Sequence, residues 1–220
     1  MVSVAAARDF SVAVCDHGHL YAWGKGLEEL PEWSNVSTTP APVEEVAELL
    51  SKRHAKIKKV AAIDRFIMLL LDNGRIYCRG INNGGVFGAR TNPLVLSDLQ
   101  LSSFAKTHDE LYKGEKIIDF EVSSNSLIFR TETDQIFYSG MNVKFQPTPF
   151  PSQVKGKIFA TESSVGVVGE DGKVYFLNEK LVEDSDFVCK KNRLFVSEDP
   201  NLSSVIDIGG AYHLRYALVQ

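Results

Sequence analysis

The sequence predicts an all-β fold: a β-propeller of four-stranded antiparallel blades, incomplete at about four and a half blades and carrying helical insertions. Three observations lead there. A turn-and-strand signature recurs four times, two short apolar segments precede each copy, and proline-marked stretches follow the first three. Short strands joined by tight turns, with no crossover helices between them, make antiparallel meanders. A sheet that small leaves one face uncovered, so neighbouring sheets have to stack on it.

The best copy runs from Asp72 to Gly88. Asp72-Asn73-Gly74 is a hairpin turn, because Asn-Gly supplies the positive φ values that such turns need. Ile76 and Cys78 then alternate along a strand, and Gly80, Asn82, Gly85 and Gly88 mark a bent loop. Asp16-His17-Gly18 with Leu20-Tyr21-Ala22-Trp23-Gly24 matches this copy without a gap. Glu132-Thr133-Asp134 with Ile136-Phe137-Tyr138-Ser139-Gly140 is the third, with Asp134 in the place of the turn glycine. Glu170-Asp171-Gly172 with Val174-Tyr175-Phe176-Leu177-Asn178 is the fourth. The turns fall roughly 40–60 residues apart, the mark of repeats whose loops differ in length.

Upstream of the turns, Val2 to Val14, Ile57 to Leu71, Ile117 to Arg130 and Ile158 to Val168 each read as two strands joined by a small polar turn. Val205 to Val219 is a fifth pair, with Gly209-Gly210 at its expected bend. Pro40, Pro42, Pro93, Pro147, Pro149 and Pro151 mark outer strands, because proline lacks the ladder donor and is confined to edges. The units so defined are 1–56, 57–116, 117–156, 157–204 and a terminal half-unit, 205–220.

Two connections are longer than a blade needs. Ala41 to Lys59 reads as a helix with Pro42 near its start, Glu44 and Glu45 in the first turn, and Lys52, Arg53, Lys56, Lys58 and Lys59 behind them, the charge order that a helix dipole favours. Val43, Val46, Ala47 and Leu50 recur at helical spacing and form its docking stripe. Ser97 to Lys116 is expected to hold a short helix carrying Phe104, His108 and Tyr112. Long insertions in repeat proteins tend to share a face and carry recognition, so these eight side chains, Lys52, Arg53, Lys56, Lys58, Lys59, Phe104, His108 and Tyr112, are the candidate partner-binding residues.

Composition sets the remaining limits. A net charge of −4 is too mild for a general nucleic-acid binder. The longest apolar run, Phe66 to Leu71, is far short of a membrane span, and Arg8 and Asp9 interrupt the apolar character of the opening segment, so no signal peptide is read there. Cys15, Cys78 and Cys189 form no Cys-x-x-Cys pair, which suits a reducing, intracellular setting; Cys15 and Cys78 fit packing positions on strands, as do Tyr21, Trp23 and Tyr77 between blades. In that setting the sequons at Asn35 and Asn201 are chance matches. The sequence holds no Gly-x-Ser-x-Gly elbow, phosphate loop or His-Glu-x-x-His, so no enzymatic activity, cofactor or metal is expected. His17 and His19 have chelating spacing, but an exposed turn accounts for them.

The turn with Tyr77, Gly80, Asn82 and Gly85-Val86-Phe87-Gly88 resembles the repeat of the regulator of chromosome condensation family, as do Tyr21-Ala22-Trp23-Gly24 and, ahead of it, Val4-Ala5-Ala6-Ala7 and Ser11-Val12-Ala13-Val14. Copies three and four lack the loop glycines, and Phe10 and Phe66 stand where the family has histidine. The resemblance implies propeller blades and protein partners. The function expected is a non-enzymatic protein-interaction scaffold. Guanine-nucleotide exchange on a small GTPase and an accessory structural role in a large organellar or cytoskeletal complex are the alternatives.

Overall fold

The computed structural model describes residues 3–25, 38–63, 66–80, 97–98, 115–140, 146–148, 150, 154–161, 164–183, 190–200, 202–211 and 214–219. Its first sheet takes the strands in sequence order: β1 (Ser3–Ala6), β2 (Phe10–Val14), β3 (Leu20–Gly24) and β4 (Ala41–Pro42). Helix α1 (Glu44–Arg53) leads into the second sheet, β5 (Ile57–Ile63), β6 (Phe66–Leu71), β7 (Ile76–Gly80) and β8 (Ser97–Asp98). The third holds β9 (Ile117–Val122), β10 (Ser126–Thr131), β11 (Ile136–Gly140) and β12 (Gln146–Pro147). The fourth holds β13 (Gly156–Ala160), β14 (Val165–Gly169), β15 (Val174–Glu183) and β16 (Lys190–Glu198), and β17 (Val205–Ala211) pairs with β18 (Leu214–Val219) in a sheet of two. The described pairings are antiparallel between strands adjacent in sequence, which is the meander that the recurring turns require.

One turn geometry is used four times between second and third strands. The Cys15, Leu71, Thr131 and Gly169 amides donate to the carbonyls of His19, Arg75, Gln135 and Lys173 at 2.8–3.1 Å. Inside each turn, the amides of Gly18, Gly74, Asp134 and Gly172 donate back to the carbonyls of Cys15, Leu71, Thr131 and Gly169 at 2.9–3.0 Å. The closing residue is left-handed every time, with φ of 85, 82, 60 and 74°. Glycine takes that conformation freely and an Asp with more strain, so the substitution at position 134 keeps the turn.

The chain divides into two compact units, residues 1–83 with 89–117, and 84–88 with 118–220. In the first, Phe10, Val12, Val14, Leu20 and Ala22 of the first sheet meet Ile57, Val60, Ile67, Leu69, Leu71 and Tyr77 of the second, so the core lies between stacked sheets. In the second, Ile128, Ile136 and Tyr138 pack on Ile158, Val165, Val167 and Leu177, while Phe159, Val168 and Val174 pack on Val205 and Ile208. Small sheets thus cover each other's apolar faces within each unit.

Several details differ from the sequence reading. Gly209 and Gly210 lie inside β17, facing Tyr216 and Arg215 in the ladder, and not at a bend. In the fourth sheet, where no proline-marked stretch is read, the outer pairing is long: β15 and β16 pair from Tyr175↔Glu198 to Glu183↔Lys190, well past Leu177, the last β15 residue paired with β14. Cys78 is buried, whereas Cys15 is only half-buried at the mouth of the first turn. Tyr77 is in the core, while Tyr21 and Trp23 are half-buried.

Candidate partner-binding surface

Helix α1 is shorter than the charge pattern predicts. It ends at Arg53, where His54 turns left-handed (φ 49°, ψ 44°) and the freed carbonyls of Leu50 and Ser51 accept from the amides of Ala55 and His54 at 3.2 and 3.3 Å. From there Ile57 and Val60 are buried strand residues, so the sequence-predicted basic group is divided: Lys52 and Arg53 lie in the last helical turn, Lys56 in the connection, Lys58 and Lys59 on β5. Lys52, Arg53, Lys56 and Lys58 are exposed and Lys59 is half-buried. Phe104, His108 and Tyr112, with the short helix expected for them, lie outside the described residues.

Two anchors hold the helix. Val46 and Leu50, one turn apart, are buried in the core with Val43 just ahead of them; Leu49 is half-buried, and Ala47, expected in the docking stripe, is exposed. The second anchor was missed by sequence reading. Glu45 in the first helical turn pairs with Arg79 on β7, whose side chain is only 1% exposed against 25% for Glu45. An alternating strand gave no sign that Arg79 points inward, and Glu45 was explained by the helix dipole alone. Such a pair fixes orientation, because moving the helix leaves a buried guanidinium without its anion.

The charged face beyond these anchors is solvated. Lys52 lies 3.4 Å from Glu48 one turn back, with both side chains more than 70% exposed, an arrangement worth about 0.3–0.5 kcal/mol. The backbone of Lys56 is fixed on both sides: its amide donates to Asp72 Oδ1 at 3.1 Å and its carbonyl accepts from the Asp72 amide at 2.9 Å. A framework-held backbone therefore presents cationic side chains to solvent near the helix end.

The second unit offers a different polar group around its last turn. Asp171 Oδ1 accepts from the Lys173 amide at 3.1 Å and Oδ2 from the Tyr175 hydroxyl at 2.9 Å. The Lys173 amide, foremost, holds the Asp171 carboxyl below its usual range; Glu198, 2.9 Å from Lys173 Nζ, pushes that ammonium's pKa up; burial, then Asp171, raises the Tyr175 phenol. Two shallow depressions of ≈ 330 and ≈ 390 Å³ flank this turn, lined by residues such as Lys155, Lys157, Glu170 and Asp171.

Among the described residues no helix is long and apolar enough to cross a membrane. Comparison with family models and with curated proteins gives no match. Solved structures do match. Prp20p from Saccharomyces cerevisiae, described with its binding properties to Gsp1p and histones, superposes with a TM-score of 0.67 at 16% identity over 99% of this chain and 54% of its own. The same yeast protein, named there as RCC1 and bound to Kap60, gives 0.65 at 17% identity, over 99% of this chain and 53% of its own. Human WBSCR16 gives 0.68 at 13% identity, over 99% of this chain and 57% of its own. The chain spans just over half the length of these proteins. The fold is that of an RCC1-like β-propeller, with four four-stranded blades and a strand pair among the described residues.

Proposed function

We propose that this protein is a non-enzymatic interaction scaffold, a member of the regulator of chromosome condensation repeat group that binds an acidic protein surface through the α1 end of its first unit. One observation carries the reading: an inserted helix is locked to its blades by buried Val46 and Leu50 and by the Glu45–Arg79 pair, while Lys52, Arg53, Lys56 and Lys58 are exposed at the surface. A solvated helix with no partner has no need of a buried charge to fix its angle. Rigidly held cations recognise a partner at low entropic cost, and rim charges steer encounter more than they add affinity. The whole chain of such a protein is a platform, and the blades themselves need no chemistry.

The test is affinity capture from native extract with the intact protein and with Lys52, Arg53, Lys56 and Lys58 changed to Gln. An acidic protein retained by the first and lost by the second, with capture weakening as salt rises, is the expected result. Identical captured sets remove the helix end from the reading.

A second reading, guanine-nucleotide exchange on a small GTPase, draws support from the β15–β16 ribbon. It continues past the four-stranded part of its sheet, and displacing a bound nucleotide calls for a protruding element of that kind. Nucleotide release from a GTPase panel that includes Gsp1p separates the readings: acceleration lost on shortening the ribbon supports exchange, and unchanged release supports the scaffold.

A further inference from the structure

The first hairpin turn differs chemically from its three counterparts. Cys15, Asp16 and His17 stand where the second copy has Leu71, Asp72 and Asn73, and where the fourth has Gly169, Glu170 and Asp171. In those two copies the residue at the third position caps the turn: Asn73 Oδ1 accepts from the Arg75 amide and Asp171 Oδ1 from the Lys173 amide, both at 3.1 Å. His17 Nδ1 lies 2.9 Å from Asp16 Oδ1 and so does not take up that capping role, yet the turn closes with the same two backbone bonds. Its side chain is thus not needed for the turn.

What the first turn has instead is a cluster of ligand atoms. The Cys15 sulfur, an Asp16 carboxylate oxygen and a His17 ring nitrogen all lie within 4.8 Å of one another, and this is the only such group of three among the described residues. Asp16 Oδ1 accepts from the His17 amide at 3.1 Å and sits 2.9 Å from His17 Nδ1, so carboxylate and imidazole are already held together. Both side chains are about three-quarters exposed, which leaves an ion free to enter. His19, whose carbonyl accepts from the Cys15 amide at 3.1 Å, stands directly across the ladder and places a second imidazole residue at the turn.

We propose that Cys15, Asp16 and His17 form a binding site for a zinc-class divalent ion. Thiolate, carboxylate and neutral imidazole are the ligand types such an ion takes, and three of them leave the fourth tetrahedral position to water. Hard cations such as magnesium and calcium, which prefer all-oxygen shells, do not suit a sulfur and a nitrogen. Such an ion takes its ligands in their deprotonated forms, so protons compete with it. The ion bridges the end of β2 to the tip of the turn and pins the hairpin.

The probe is Co²⁺, a spectroscopic stand-in for zinc, titrated into the full chain with thiol reductant that does not bind metals. The expected result is a near-ultraviolet thiolate-to-cobalt band that saturates at one ion per chain and disappears when Zn²⁺ is added. Cys15→Leu and His17→Asn install residues that the second copy carries in the same turn geometry, so both variants keep the fold. Each is expected to weaken binding by more than the ~10–100-fold that a mere supporting residue is worth, with urea unfolding of the metal-free protein unchanged. A band that persists in Cys15→Leu places the cobalt on another thiol and overturns the proposal. Unchanged affinity in His17→Asn reduces the site to a thiolate alone and overturns it as well.

Discussion

The four turn residues with positive φ show what one side chain decides. Gly18 and Gly74 are buried, Gly172 is half-buried, and Asp134 is exposed. The glycines abut the chain that leads into the following sheet: a Cβ on Gly18 would lie 3.3 Å from Lys56 Cβ, one on Gly74 3.0 Å from Ile117 N, and one on Gly172 2.9 Å from Ser204 Cα. Glycine there serves both handedness and close packing, whereas position 134 needs handedness alone. Gly74→Ala should therefore cost about 2–4 kcal/mol, the left-handed penalty plus overpacking against backbone. Asp134→Gly should stabilise by about 0.5–1 kcal/mol, the relief of strain less the added freedom of the unfolded chain. Urea unfolding of both measures it, and equal effects would remove the packing half of the account. The turn at Asp171 also gives a pH dependence. Its carboxyl titrates below the usual 3.8, so its contribution is full above that value and is lost as pH falls through the lowered one. Asp171→Asn keeps an acceptor of the kind Asn73 provides, so it should destabilise slightly at neutral pH and not at all once the pH lies below that lowered value. Lys173 and Tyr175, both raised, lose their contributions on the opposite side, as pH climbs past their usual values of 10.5 and 10.0. Turn chemistry was legible in the sequence because three glycines and one Asp fall at matched spacing; the packing against the next sheet was not, because it joins residues far apart in the chain.

At the scale of an element, α1 was half legible. Its beginning follows from Glu44 and Glu45 and its docking stripe from Val46 and Leu50, but its end does not, because the basic run continues through Lys56 to Lys59 and no glycine stops it. His54 takes the left-handed capping position that glycine occupies more cheaply, so His54→Gly should raise stability by about 0.5–1 kcal/mol, read as a shift in urea midpoint at constant slope. The Glu45–Arg79 pair was not legible at all. Strand alternation says nothing about an arginine whose anion arrives on an inserted helix. Glu45→Ala should cost about 3 kcal/mol, the low end for breaking a buried pair, because Glu45 keeps a quarter of its exposure. Glu45→Leu with Arg79→Met should restore most of it, since two apolar groups carry no desolvation cost. A double variant as unstable as the single would show that the pair stabilises outright and does not merely orient the helix.

For the molecule as a whole, the stacking was legible in a contrast between strands. Phe66 to Leu71 is a continuous apolar run, and all six side chains of β6 are buried; β14 is likewise buried throughout. Strands buried on both faces belong to covered sheets, and alternation belongs to a sheet with one face in water. β1 alternates half-buried with exposed residues, Val4 being 62% exposed, and Leu218 and Val219 on β18 are 57% and 56% exposed. The long β15–β16 ribbon was hidden for the opposite reason, since polar residues such as Asn178 and Lys190 to Arg193 read as loop when only burial marks a strand. Stability in a stacked array is close to a sum of each sheet's own stability and its contacts with neighbours, so it should vary along the chain. Amide hydrogen exchange is then expected to be slowest in β6 and β14, where release needs a whole unit to unfold, and fastest in β1 and β18, which open locally. The order matters more than the rates. Equal protection from β1 to β18 would mean that the sheets unfold in one step regardless of cover, and the argument from burial pattern to stacking would fail with it.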